Sequence, residues 1–189
     1  MRSSETTIAN ADIESSQRTS WAIIAAGCRG ILGAIPTAAY TCDGSGRITY
    51  FNPIAEAVWG RAPRLRDESE RYCGSYKLYS ADGVRIPHQE CWMALALLAG
   101  RAYHGHAIVI ERPDGTRTIG KAHAHPLRNN QGQLVGALNL IADITGLTGA
   151  EARHSTPHDA PHGYSATVAM IEIAVSLLTA IRWEDRSFE

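Results

Sequence analysis

The residues whose spacing bears most directly on chemistry are two pairs of histidines. His104 and His106 stand two apart, as do His123 and His125, on two stretches that read as neighbouring strands. Residues two apart in a strand share a face. With Asp114-Gly115 as a two-residue turn, His106 faces His123 and His104 faces His125. All four imidazoles then share one face, within reach of one metal ion. A one-residue change of register breaks the set. The plainer reading is a solvated or pocket-lining polar patch, and it is preferred, because no cysteine or carboxylate sits with the histidines. No metal site is therefore assigned, and His104, His106, His123 and His125 remain the candidates for one.

Cysteine chemistry is less promising. Cys28, Cys42, Cys73 and Cys91 form no C-x-x-C pair, so neither a zinc knuckle nor a dithiol redox motif is supported. They read as reduced core thiols of a cytosolic protein. No G-x-S-x-G elbow and no phosphate-cradling glycine loop occurs. Four aromatics, Tyr40, Tyr50, Trp59 and Trp92, are placed to line a pocket between a sheet and its helices, although plain core packing explains them as well.

These residues need elements to hold them. Met1 to about Arg18 is rich in Ser and Thr and reads as disordered. Ile24, Cys28, Ile31, Leu32 and Ile35 mark one face of a helix that Pro36 stops. Thr37 to Cys42 and Arg47 to Phe51 read as a hairpin, with Ile48 and Tyr50 on one face. Asn52-Pro53 opens a helix that Gly60 ends. Arg61 to Gly83 reads as loop and short helical pieces, anchored by Tyr72, Tyr76, Leu78 and Tyr79. Pro87 opens a second helix, His88 to Leu98. Three strands follow: Tyr103 to Glu111, Thr116 to His125 and Leu134 to Ile144, with Pro126 to Gln133 as a turn. The result is an α+β fold: a five-stranded antiparallel sheet, helices inserted between strands two and three, and flanking N- and C-terminal helices.

Residues 147–163 read as a linker and 164–189 as an amphipathic helix, apolar over most of its circumference. Its run from Val168 to Ile181 carries Glu172 and is too short to span a bilayer. The N-terminus lacks the apolar stretch of a secretory signal. Formal net charge is −1 over 189 residues, which argues against a phosphate-binding face and so against nucleic acid as a partner.

Element order and motifs together resemble a PAS domain, over about residues 25 to 146. The carriers are Tyr50-Phe51-Asn52-Pro53-Ile54-Ala55, Glu111-Arg112-Pro113-Asp114-Gly115-Thr116, Pro126 to Gly132 with Val135-Gly136-Ala137, and the closing Asp143-Ile144-Thr145. Cys73-Gly74-Ser75-Tyr76-Lys77-Leu78-Tyr79, Asp82-Gly83, Ile86-Pro87-His88 and Glu90-Cys91 are similar to a subgroup found in alphaproteobacterial sensor histidine kinases of the HWE type.

The resemblance implies a cytoplasmic sensory or regulatory domain of bacterial signal transduction. Such a domain senses a small ligand or relays a signal through protein contacts. The alternative is a ligand-free dimerisation or adaptor module for a histidine kinase or transcription regulator. A metal-dependent protein using the histidine face is a distant third. A homodimer through the terminal helices is expected, with a histidine kinase or response regulator as further partner. No phosphoacceptor or ATP-binding motif follows Thr145, so kinase activity does not carry over and no enzyme is expected. The flavin-binding members carry an N-C-R-F-L-Q-like helix that Arg71-Tyr72-Cys73-Gly74-Ser75 does not match. Heme-binding members use an axial histidine on the helix before the third strand, and His88 reads instead as a first-turn residue. Flavin and heme are therefore not supported.

Overall fold

The computed structural model describes residues 29–129 and 131–145. The expected N-terminal disorder, the linker, the C-terminal helix and Cys28 lie outside these residues. So does the first part of the expected N-terminal helix; residues 29–34 are helical, and the chain turns out of that axis before the first strand.

Seven strands form one antiparallel sheet: β1 (Ala38–Asp43), β2 (Ile48–Phe51), β3 (Lys77–Tyr79), β4 (Arg85–Ile86), β5 (Tyr103–Glu111), β6 (Arg117–Arg128) and β7 (Leu134–Asp143). Their order across the sheet is β2-β1-β7-β6-β5-β3-β4. Five were expected, and those five form the sheet's body. The two extra strands lie in or beside the stretch read as loop. β3 pairs with β5, and β4 pairs with β3 through two residues. Charge fixes that edge: Lys77 Nζ donates to Glu111 Oε1 at 2.7 Å, and Arg117 donates to Glu111 Oε2 at 2.8 Å. The bond from Lys77, with that from Arg117, holds the Glu111 carboxyl down to about 2.

The helices follow their caps. α1 (Pro53–Trp59) starts at Asn52, whose Oδ1 accepts from Ala55 N at 2.9 Å, and it ends at Gly60 in the left-handed region, φ 68°. The second helix is shorter than expected. His88–Glu90 forms a 3₁₀ turn, Cys91 is extended, and α2 runs Trp92–Ala99. The break at Cys91 lets its side chain enter the core, where it is 5% exposed.

Asn52 also fastens the N-terminal segment. Its amide nitrogen donates to Leu32 O and Thr37 O, and its oxygen accepts from Ala39 N as well. One buried side chain thus joins the first helix, β1 and α1.

The sheet has two covered faces. The inner face meets α1 and α2 and packs Tyr40, Cys42, Ile48, Ile108, Ala122 and Ile141 against Trp59, Met93 and Leu97. The outer face packs Leu32 and Ile35 on Ala39, Leu127, Leu138 and Leu140. Ile31, expected on the buried side of that helix, is exposed.

Two bulges decide which side chains reach which face. In β1–β2 the register shifts between Thr41 and Cys42. Ile48 therefore lies on the inner face and Tyr50 on the outer, not together as their alternation suggests. In β5–β6 the shift falls between Tyr103 and His106, at Gly105, whose φ of 68° suits glycine.

β6 continues through Pro126 to Arg128, where a turn was expected. Its pairing with β5 ends at Ala124. Beyond that point β6 has a neighbour on one side only, and a residue without N–H is tolerated there. No helix among the described residues is long and apolar enough to cross a membrane.

Candidate functional site: an inner cleft and an outer histidine face

The inner face holds a small cleft, with about 10 Å³ of enclosed space, between the sheet and the segment carrying Cys73 and Cys91. Tyr40 and Trp92 line it, with Cys73, Cys91, Ile108 and Asn139. Trp59 stands behind Tyr40 in edge-to-face contact, ring centroids 4.9 Å apart. Tyr50 is on the other side of the sheet, where its hydroxyl donates to Arg29 O at 3.3 Å. The four aromatics therefore divide: two on the cleft wall, one packed behind it, one on the outer face.

Tyr72 organises the cleft. It adopts φ 69°, a left-handed conformation unusual for a tyrosine. This turns its carbonyl inward, where Tyr40 Oη donates to it at 3.1 Å and the thiols of Cys42 and Cys91 approach it to 4.0 Å. Asn139 Nδ2 donates in turn to Tyr40 Oη at 3.0 Å. Burial pushes the Tyr40 hydroxyl and the Cys42 thiol well up and takes Cys91 to about 12. These are neutral groups at physiological pH, weak as nucleophiles. No sequence signal pointed to Tyr72 as a hub, because positive φ at a non-glycine residue leaves no compositional mark.

Asn139 Oδ1 and Trp92 Nε1 are buried on the cleft wall without hydrogen-bond partners, as is Trp59 Nε1 behind it. Two of the cleft-lining residues thus each carry a buried polar atom, one acceptor and one donor, with no protein group to meet it.

Cys73 and His88 are tied to one another through Ser75. Cys73 Sγ donates to Ser75 Oγ at 3.3 Å, and Ser75 Oγ lies 3.1 Å from His88 Nε2. Burial lowers the His88 pKa. A serine beside an imidazole is the start of a nucleophile–base pair, but Ser75 is 1% exposed and no substrate atom reaches it. Ligation of a heme iron by His88 Nε2 would sacrifice this contact.

The histidine face differs from the one expected. Arg112 N bonds Thr116 O and Gly115 N bonds Arg112 O, closing a three-residue loop with Gly115 at φ 84°. Pro113 pre-sets the first position of that turn. The extra loop residue moves the register by one, so His106 pairs with Ala122 rather than His123. His106 then lies on the inner side, stacked on Trp92 with ring centroids 3.8 Å apart. The Gly105 bulge sends His104 the other way. Its ring is 4.5 Å from that of His125 and 6.3 Å from that of His123, on the outer face. The set is one of three histidines, not four, and β6 supplies two of them opposite Leu140 and Leu138. Burial, with His104 and Lys121 nearby, holds His123 down to about 4; burial and the same His104 do so for His125.

No protein-family model matches the chain, and no curated protein matches it in sequence. Solved structures similar to it are PAS and LOV domains. The LOV protein of Rhodobacter sphaeroides aligns at TM-score 0.49 and 12% identity, over 82% of this chain and 91% of that one. The PAS domain of nitrogen regulation protein NR(II) from Vibrio parahaemolyticus aligns at 0.44 and 15%, over 61% and 96%. An RNA-binding light-oxygen-voltage receptor aligns at 0.45 and 19%, over 77% of this chain, which spans only 35% of the receptor.

Proposed function

We propose that the chain is a PAS-type sensory or regulatory domain that takes up a small ligand on the inner face of its sheet. What supports the family reading is the chain's own architecture. Two N-terminal strands, helices, then three long strands close a sheet in which β1 sits beside β7. The observation that carries the ligand reading is the pair of unpartnered groups on the cleft wall, Asn139 Oδ1 and Trp92 Nε1. Buried polar atoms are almost always hydrogen-bonded, and exceptions point to water, ions or ligands. A neutral molecule with one donor and one acceptor answers both. Occupancy would shift the packing of the segment from Tyr72 to Cys91, and a partner protein of bacterial signal transduction, such as a histidine kinase, would read that shift. The reading assigns the chain no catalysis of its own.

A second reading has an observation in its favour. Ligand pockets usually enclose ~300–1,000 Å³, whereas the enclosed space of the cleft is about 10 Å³, room for roughly one water. A filled interior suits an adaptor that works by pairing alone. Native mass spectrometry of the untagged full chain separates the two. Mass on the folded protein that disappears on denaturation identifies a ligand. The bare mass from its own host and from a second host supports the adaptor.

A further inference from the structure

The outer histidine face takes no part in that reading, and its chemistry is different. His123 and His125 are each 8% exposed, and Nε2 of each has no hydrogen-bond partner. His104 is exposed, at the rim of the same face. Two buried imidazole nitrogens therefore lie behind a third imidazole that solvent reaches.

We propose that His104, His123 and His125 form a binding site for a first-row divalent cation of the zinc class. Burial keeps the two inner rings neutral, and neutral imidazole is the ligating form. The donors are all nitrogen, without carboxylate or thiolate, a set that suits zinc, copper or nickel and not calcium or magnesium. Two imidazoles on one tetrahedral ion, each bonded at ~2.0–2.1 Å, place their ring centroids about 5 Å apart. The observed separations from His104, 4.5 and 6.3 Å, lie on either side of that value. Among the described residues no three ligating groups already stand gathered around one point. Closing the site requires the three rings to draw together, and His104, exposed and beside the Gly105 bulge, is the one freest to move. Lys121 is a cation beside His123 and weakens the site's pull on a metal ion. His106, stacked on Trp92 across the sheet, is not a ligand.

The test is calorimetric titration of zinc into the untagged full chain, stripped with chelator and dialysed, near neutral pH. One ion per chain is expected. H104A, a change at an exposed position, should weaken binding about tenfold or more without moving the melting temperature, and H123A should do the same or worse. His154, His158 and His162 offer a competing site. Their triple replacement by alanine should leave the affinity unchanged. The proposal is overturned if no zinc binds at micromolar concentrations. It is also overturned if H104A binds as the parent does, or if the triple variant loses the ion.

Discussion

The two faces of one sheet leave different atoms without partners. On the inner face the polar groups converge on a single carbonyl, that of Tyr72, and what remains over is an amide oxygen and two indole N–H groups. On the outer face the groups left over are imidazole nitrogens, held neutral by burial. In the proposed readings the first set takes a neutral hydrogen-bonding molecule and the second a divalent cation of the zinc class. The two sets meet across neighbouring strands, since Asn139 on β7 pairs with Ala124, which lies between His123 and His125 on β6, while the two indoles come from the helices. Alternation along a strand is thus enough to give one sheet two unrelated chemistries.

Four experiments would break or sharpen this contrast. The largest effect should come from the residue that holds both faces to the first helix. Asn52→Ala removes a helix cap and strands the buried partners of a four-bond hub. Urea denaturation should show a loss of about 3–4 kcal/mol. Next is acid. The folded pKa of His123 and of His125 is about 4 against an ordinary 6.5, so between these values the unfolded chain binds protons that the folded chain does not. Stability should be whole above pH 6.5 and fall as pH drops to about 4, by on the order of 3 kcal/mol for each ring. Denaturant midpoints taken in chelator across that range would show it. A flat profile would place the two rings in contact with water.

Tyr40→Phe should cost about 1–2 kcal/mol. It removes the donor to Tyr72 O and the acceptor for Asn139, and the melting temperature should fall accordingly. The smallest effect should have the opposite sign. His123→Leu with His125→Leu replaces unpartnered nitrogens by groups that match Leu138 and Leu140 across the strand. At neutral pH this double variant should be as stable as the parent or about 1 kcal/mol more so. It should also lose the acid-dependent fall. If Tyr40→Phe proved neutral and the leucine pair destabilising, the contrast between the faces would be inverted.

The body of the fold was legible because its signals were local. Asn52-Pro53 before an apolar run, Gly60 after it, and alternation in the long strands each reflect nearest-neighbour physics, and the structure follows them. The site was less legible because it depends on register. One loop residue at Pro113-Asp114-Gly115 and one bulge at Gly105 together moved His106 across the sheet and kept His104 with its partners. Neither change alters the hydrophobic pattern from which strands are read. The bulge beside Thr41 separated Ile48 from Tyr50 in the same way. β3 and β4 were missed because two or three residues are too few to show a period, and the Lys77–Glu111–Arg117 cluster that anchors them is a contact between distant segments. The inward carbonyl of Tyr72 rests on a backbone angle that no residue type advertises.

The place of β1 in the sheet has a consequence for how the chain is made. Its first pairing partner on the inner side is β7, and Thr37 Oγ1 donates to Ile141 O across 104 residues of sequence. On a ribosome the N-terminal hairpin emerges long before the strand that must cover it. Until β7 arrives, β1 presents an open edge of backbone donors and acceptors, lined by Ala38, Tyr40 and Cys42. Contacts that span so much chain close slowly, and an uncovered edge in that interval is where a nascent chain pairs with the wrong neighbour. Synthesis pauses before β7 has left the ribosome would therefore reduce the yield of folded protein more than pauses after it has emerged.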